Sequence, residues 1–151
     1  MPSCTFFGHR DCPDSLKPKL QSAIIDLITN HGVDMFYVGN QGAFDRLVRG
    51  VLREIAQEHP QVHYAVVLAY MPSERSTPTD TSDTMLPEGI ELVHPRYAIS
   101  WRNNLMLQNS AFVVAYVAHS WGGAAQYMQK AIRSGKTVIN LYHDQEGGRV
   151  L

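Results

Sequence analysis

Residues 110–141 read SAFVVAYVAHSWGGAAQYMQKAIRSGKTVINL. The stretch opens on an apolar run, 111–117, and closes on another, 137–141. Between them, 124–133 has the look of a helix, and the turn Ser134-Gly135-Lys136 leads into the second run. The first run is apolar continuously rather than alternately, as expected of a strand covered on both faces in a parallel sheet. Strand, helix and strand in this order make a βαβ unit.

The same rhythm extends upstream. Apolar runs at 4–7, 35–38 and 62–68 bring the number of expected strands to five. Leu16, Leu20, Ile24, Leu27 and Ile28 recur at spacings of three or four and stop at Asn30-His31-Gly32, which predicts a helix with a glycine at its end. Phe44, Leu47, Val48, Val51, Leu52 and Ile55 form the clearest amphipathic stripe of the chain. A further helix is expected over 97–108. The pattern predicts one α/β domain over 1–151: a doubly wound, mainly parallel sheet of five or more strands with helices on both faces. Right-handed crossovers then gather the carboxyl ends of the strands along one edge, where such folds bind ligands. One segment breaks the rhythm. Residues 71–95 hold Pro72, Pro78, Pro87 and Pro95 among many Ser, Thr and Asp residues. A loop of this length is uncommon in a compact domain, and it reads as a surface excursion or as a lid over the strand ends.

Bulk composition narrows the function. With 44% hydrophobic and 18% charged residues the balance is that of a globular protein. A net charge of −1, with Lys and Arg scattered, argues against a general affinity for nucleic acid or acidic membranes. No apolar run approaches the roughly 18 residues needed to span a bilayer, and the start shows no basic-then-apolar leader. The expected compartment is the cytoplasm. Cys4, His9 and Cys12 are one ligand short of a structural zinc site, so no metal is expected; Cys4 reads as a small buried strand residue. No cofactor is expected.

Three glycine-containing turns follow strands. The first is Gly8-His9-Arg10, the second Gly39-Asn40-Gln41-Gly42, and the third Ser120-Trp121-Gly122-Gly123, with Ala124 opening a helix. Glycine lets backbone approach an anion, and the first N–H groups of a helix favour negative charge. Turns of this kind point to a phosphate-bearing ligand, although neither a G-x-G-x-x-G nor a P-loop is present. Arg10 and Arg102 are candidate phosphate grips, with a solvated side chain as the alternative. Asn103 and Asn104, poor helix formers beside Arg102, hint at a polar task. Trp121 and Tyr70 either stack on a base or pack on the sheet. His9 either meets a ligand oxygen or bonds its own turn.

These residues resemble the SLOG superfamily (SMF/DprA–LOG), and more narrowly its small bacterial and phage-borne members that begin with a GHR motif. The likeness rests on Phe7-Gly8-His9-Arg10, on the turn from Gly39 to Asp45, on RYAISWRNNLM at 96–106, and on the stretch quoted first. It implies a Rossmann-like fold binding a nucleotide or nucleotide-derived small molecule at the strand ends, and self-association as a homodimer. Some relatives cleave the N-glycosidic bond of nucleoside monophosphates, others sense nucleotide signals, and the DprA branch binds DNA. The hydrolytic branch carries R-K-x-x-M, matched here by Arg102 and Met106 with Asn103 in place of lysine. Its catalytic glutamate falls on Gln129, and an amide can neither take up a proton as a general base nor offset a developing positive charge. The resemblance therefore implies binding, for sensing or sequestration, ahead of LOG-like hydrolysis. A hydrolase would need a relocated carboxylate, for which Asp45, Glu88 and Glu91 are the candidates, with Arg102 beside it.

A serine hydrolase is the remaining reading. Ala118-His119-Ser120-Trp121-Gly122 is one glycine short of G-x-S-x-G. The acid and the histidine should follow in that order, whereas only His143-Asp144 follows, adjacent and reversed.

Overall fold

The computed structural model describes residues 2–70 and 83–142. Its strands are β1 (Ser3–Gly8), β2 (Met35–Val38), β3 (His63–Val67), β4 (Thr84–Met85), β5 (Phe112–Tyr116) and β6 (Thr137–Asn140). The helices are α1 (Lys17–His31), α2 (Gly42–Glu58), α3 (Ala98–Gln108) and α4 (Gly123–Arg133). All five expected strands and all four expected helices form, with boundaries shifted by one or two residues.

The strands build one sheet in the order β4-β3-β2-β1-β5-β6, and every pairing is parallel. Successive residues of a strand face opposite sides of a sheet, and β1 shows what that does here. Phe6 packs in the cluster that holds Leu20 and Ile24 of α1 and Phe44 and Val48 of α2. Phe7 packs with Met106 and Leu107 of α3 and Ala131 of α4. Val114 and Val113 of β5 divide in the same way. Burying each such side chain contributes roughly 1.5–3 kcal/mol, and two-sided burial is why the strands read as continuous apolar runs. The fold is an α/β sandwich of three layers with a doubly wound, Rossmann-like sheet.

The α2 stripe is realised, since Phe44, Val48, Val51, Leu52 and Ile55 are all buried. Gly32 ends α1 as expected, its N–H bonded to the Leu27 carbonyl. Cys4 is fully buried in β1.

The expected loop over 71–95 departs from expectation in its described part; residues 71–82 lie outside the described residues. Thr84 and Met85 pair with Val66 and Val67 as the edge strand, and Ile90 is buried beside Ala69 and Ala98. Asp83, just ahead of β4, accepts hydrogen bonds from Arg49 Nε at 3.0 Å and from the Tyr64 hydroxyl at 2.9 Å. A strand of two residues is too short for any periodicity, and side chains from α2 and β3 hold it in place.

Strand order reverses at β1: β2 and β3 lie to one side of it, β5 and β6 to the other. The chain therefore leaves β1 and β5 toward opposite faces of the sheet. A crevice opens between their carboxyl ends, the place where open α/β sheets bind ligands.

Candidate functional site

The crevice is a cleft of about 650 Å³. Gly8 pairs with Tyr116 at the ends of β1 and β5, so the turn 9–11 and the turn 118–122 face each other across it. The His9 N–H donates to the Tyr116 carbonyl at 3.3 Å. The Ala118 N–H donates to His9 Nε2 at 2.8 Å. As an acceptor Nε2 carries no proton, so the His9 ring is neutral in this arrangement. Burial, and then the neighbouring His119, pull its pKa below the usual histidine value. His9 stacks on His119 with ring centres 3.9 Å apart, and His119 stacks on Trp121 at 3.7 Å.

The wall formed by α4 is built from backbone. Gly122 precedes the helix at φ +96, a conformation that a side chain would strain. No side chain caps the helix, and Gly122, Gly123 and Ala124 all line the cleft. N–H groups of a first helical turn that lack intrahelical partners form a site suited to an anion. Arg10 lines the opposite side with an exposed side chain.

The turn after β2 has a different fate. The Gln41 N–H donates to Asp45 Oδ2 at 2.9 Å, and the Ala43 N–H donates to the Arg10 carbonyl at 2.8 Å. The chain's own oxygens thus take two N–H groups at the amino end of α2, and one of these bonds ties the second turn to the first. Gly39, Asn40 and Gly42 do not line the cleft; Gln41 and Asp45 do. Gly39 passes between two buried charged groups. A Cβ there would lie 2.9 Å from both Arg102 Nη1 and Asp45 Oδ2.

Arg102 is 2% exposed. Its Nη1 donates to the Val67 carbonyl at the end of β3, and its Nε donates to Asn103 Oδ1, each at 2.9 Å. Burial lowers the guanidinium pKa from its usual value, against the pull of Asp45 and two tyrosines. Arg102 lines the cleft floor and spends Nε and one N–H of Nη1 on its own chain. Burial pushes the Asp45 carboxyl up to about 6, opposed by the Gln41 N–H and by Arg102. A carboxyl that titrates near 6 at the floor of a cleft is able to hold or release a proton at near-neutral pH.

Gly8, His9, Asn103 and Trp121 also line the cleft, as the sequence suggests. Ser120 does not. It borders a shallower depression beside α4 that also holds Gln129, Gln126 and Arg133. Glu88 is exposed and outside the cleft, and Glu91 is exposed too. His143 and Asp144, the remaining members of the serine-hydrolase reading, lie outside the described residues. Sequence reading overlooked Asp11, Gln41, Tyr116 and His119 as cleft residues. Among the described residues no group of three or more His, Cys, Asp or Glu is placed to hold a metal. Among them, too, no helix is long and apolar enough to cross a membrane.

Among solved structures the chain is similar to DNA processing protein A (DprA) from Streptococcus pneumoniae, with a TM-score of 0.65 at 14% identity. The match covers 91% of this chain and 49% of that one, so the chain spans about half the length of this neighbour. At that identity the shared feature is the fold. No protein-family model matches the chain, and no curated protein sequence does.

Proposed function

We propose that the protein binds a nucleotide or nucleotide-derived small molecule in the cleft between β1 and β5, as a sensor or a sequestering protein. The observation that carries this reading is the uncapped amino end of α4. Gly122, Gly123 and Ala124 at that end line the cleft, as does Arg10, available to meet a second phosphate oxygen. The fold shared with DprA and the SLOG-like motifs agree with it. The protein is proposed to act in the cytoplasm as a homodimer, without membrane or nucleic-acid partners. Isothermal titration with nucleoside monophosphates, NAD, ADP-ribose and cyclic nucleotides tests the reading. Saturable heat from one class is expected, and silence across the series overturns it.

A second reading has one specific observation in its favour. Asp45, with its elevated pKa, supplies a carboxyl on the cleft floor, which Gln129 on α4 does not. A nucleoside 5'-monophosphate N-glycosidase would use such a group to assist departure of the base or attack by water. Free adenine released from AMP, and lost in Asp45→Asn with AMP affinity retained, identifies hydrolysis; intact AMP after long incubation rejects it.

A further inference from the structure

A stack of three rings, His9, His119 and Trp121, stands at the cleft. Trp101, the other tryptophan, is partly buried against the cluster of Ala69, Ile90 and Ala98. Trp121 is 68% exposed, and its one ring partner among the described residues is His119. An exposed indole of this kind is ordinarily free to rotate. Here it is held: the Trp121 and His119 planes are 14° apart, and those of His119 and His9 are 15° apart. The inner ring is tied to the sheet by the Ala118 N–H, and the middle ring lies 3.0 Å through Nδ1 from the Trp121 carbonyl. Three parallel rings therefore run from the strand ends out to solvent. Among the described residues no second ring covers Trp121.

We infer that this stack is a shelf for a nucleobase, and that the ligand is a nucleoside phosphate lying with its base against Trp121 and its phosphoryl group on the N–H groups of α4. The inference rests on the functional reading above and specifies its ligand. Stacking on a flat, neutral, pre-held ring uses only the π-face that every base has, so it favours bases over no base and is tolerant among bases. Trp121 directly precedes Gly122 in the chain, which keeps the two contacts within the span of one nucleotide. A π-face contact does not read a base edge, so the shelf recognises a class of ligand, not a single base.

The test compares AMP, GMP, CMP and UMP with ribose 5-phosphate, which has the same sugar and phosphate and no base. In Trp101→Phe, which leaves Trp121 as the sole indole, the nucleotides are expected to quench fluorescence and ribose 5-phosphate to leave it unchanged. By isothermal titration of the unsubstituted protein, nucleotides are expected to bind about 10-fold or more tighter than ribose 5-phosphate. Trp121→Ala is expected to collapse that ratio toward one, and Trp121→Phe to retain part of it. If ribose 5-phosphate binds as tightly as the nucleotides, or if Trp121→Ala keeps the full ratio, the shelf is overturned and phosphate binding stands. If neither ligand type binds, both the shelf and the functional reading fall.

Discussion

His9 and Asp45 sit in the same cleft and give opposite contributions to the pH dependence of folding. The His9 pKa is depressed in the fold, first by burial and then by His119. Its contribution is present above the usual histidine value and is lost as pH falls below it, because the unfolded chain takes up the proton first. Asp45 is raised from its usual 3.8 to about 6. The fold is therefore favoured below 3.8, and that advantage is lost as pH rises through 6. The displacement corresponds to about 3 kcal/mol, reached only when both limits are compared. Urea unfolding of wild type and Asp45→Asn at pH 7 and pH 4.5 should show the difference. Wild type gains stability relative to the variant on acidification, and parallel behaviour would mean that Asp45 ionises normally. Composition and spacing mark Asp45 as a carboxylate at a helix start. They do not reveal its burial, because Arg102 arrives beside it from α3, far along the chain.

At the scale of elements, the amino ends of α2 and α4 look alike in sequence and behave differently. Asp45 and the Arg10 carbonyl accept the Gln41 and Ala43 N–H groups at the start of α2, which lies mostly outside the cleft, whereas Gly122, Gly123 and Ala124 at the start of α4 line it. A carboxylate placed in the first turn of α4 should complement the helix dipole and stabilise the fold by about 0.3–1 kcal/mol. The same carboxylate would occupy the proposed anion position. Ala124→Asp is therefore expected to raise the melting temperature slightly while reducing nucleotide affinity at least 10-fold by titration. Unchanged affinity would place the phosphate elsewhere. At the edge strand β4, Asp83 gathers the side-chain contacts from α2 and β3. Burial would raise the Asp83 carboxyl, but hydrogen bonds from Arg49 and Tyr64, with the charges of Arg49 and Arg53, hold its pKa below the usual value. Asp83→Asn is expected to detach β4. It should speed hydrogen exchange at the amides of Val66 and Leu68, which donate to the carbonyls of Asp83 and Met85. Amides of β1 should keep their protection, and uniform acceleration would show that β4 does not open alone.

At the scale of the whole molecule, one sheet covered on both faces implies one cooperative unit. Circular dichroism and tryptophan fluorescence should report a single, coincident unfolding transition. Two separated transitions would mean that the 83–97 region folds apart from the rest. The sequence alone determined the class of this protein. Continuous apolar runs alternate with 3.6-period stripes, and each is a local pattern that depends only on which faces of an element must leave water. It also marked the glycine turns, because an unusual backbone geometry selects residue type locally. Only the tertiary structure decided which turns meet. Placing β1 beside β5 aligned Gly8 with Tyr116, which brought His9 against His119 and left Trp121 at the mouth of the cleft. That pairing joins residues more than a hundred positions apart. Strand order follows from the packing of all the layers together, and no local period carries it.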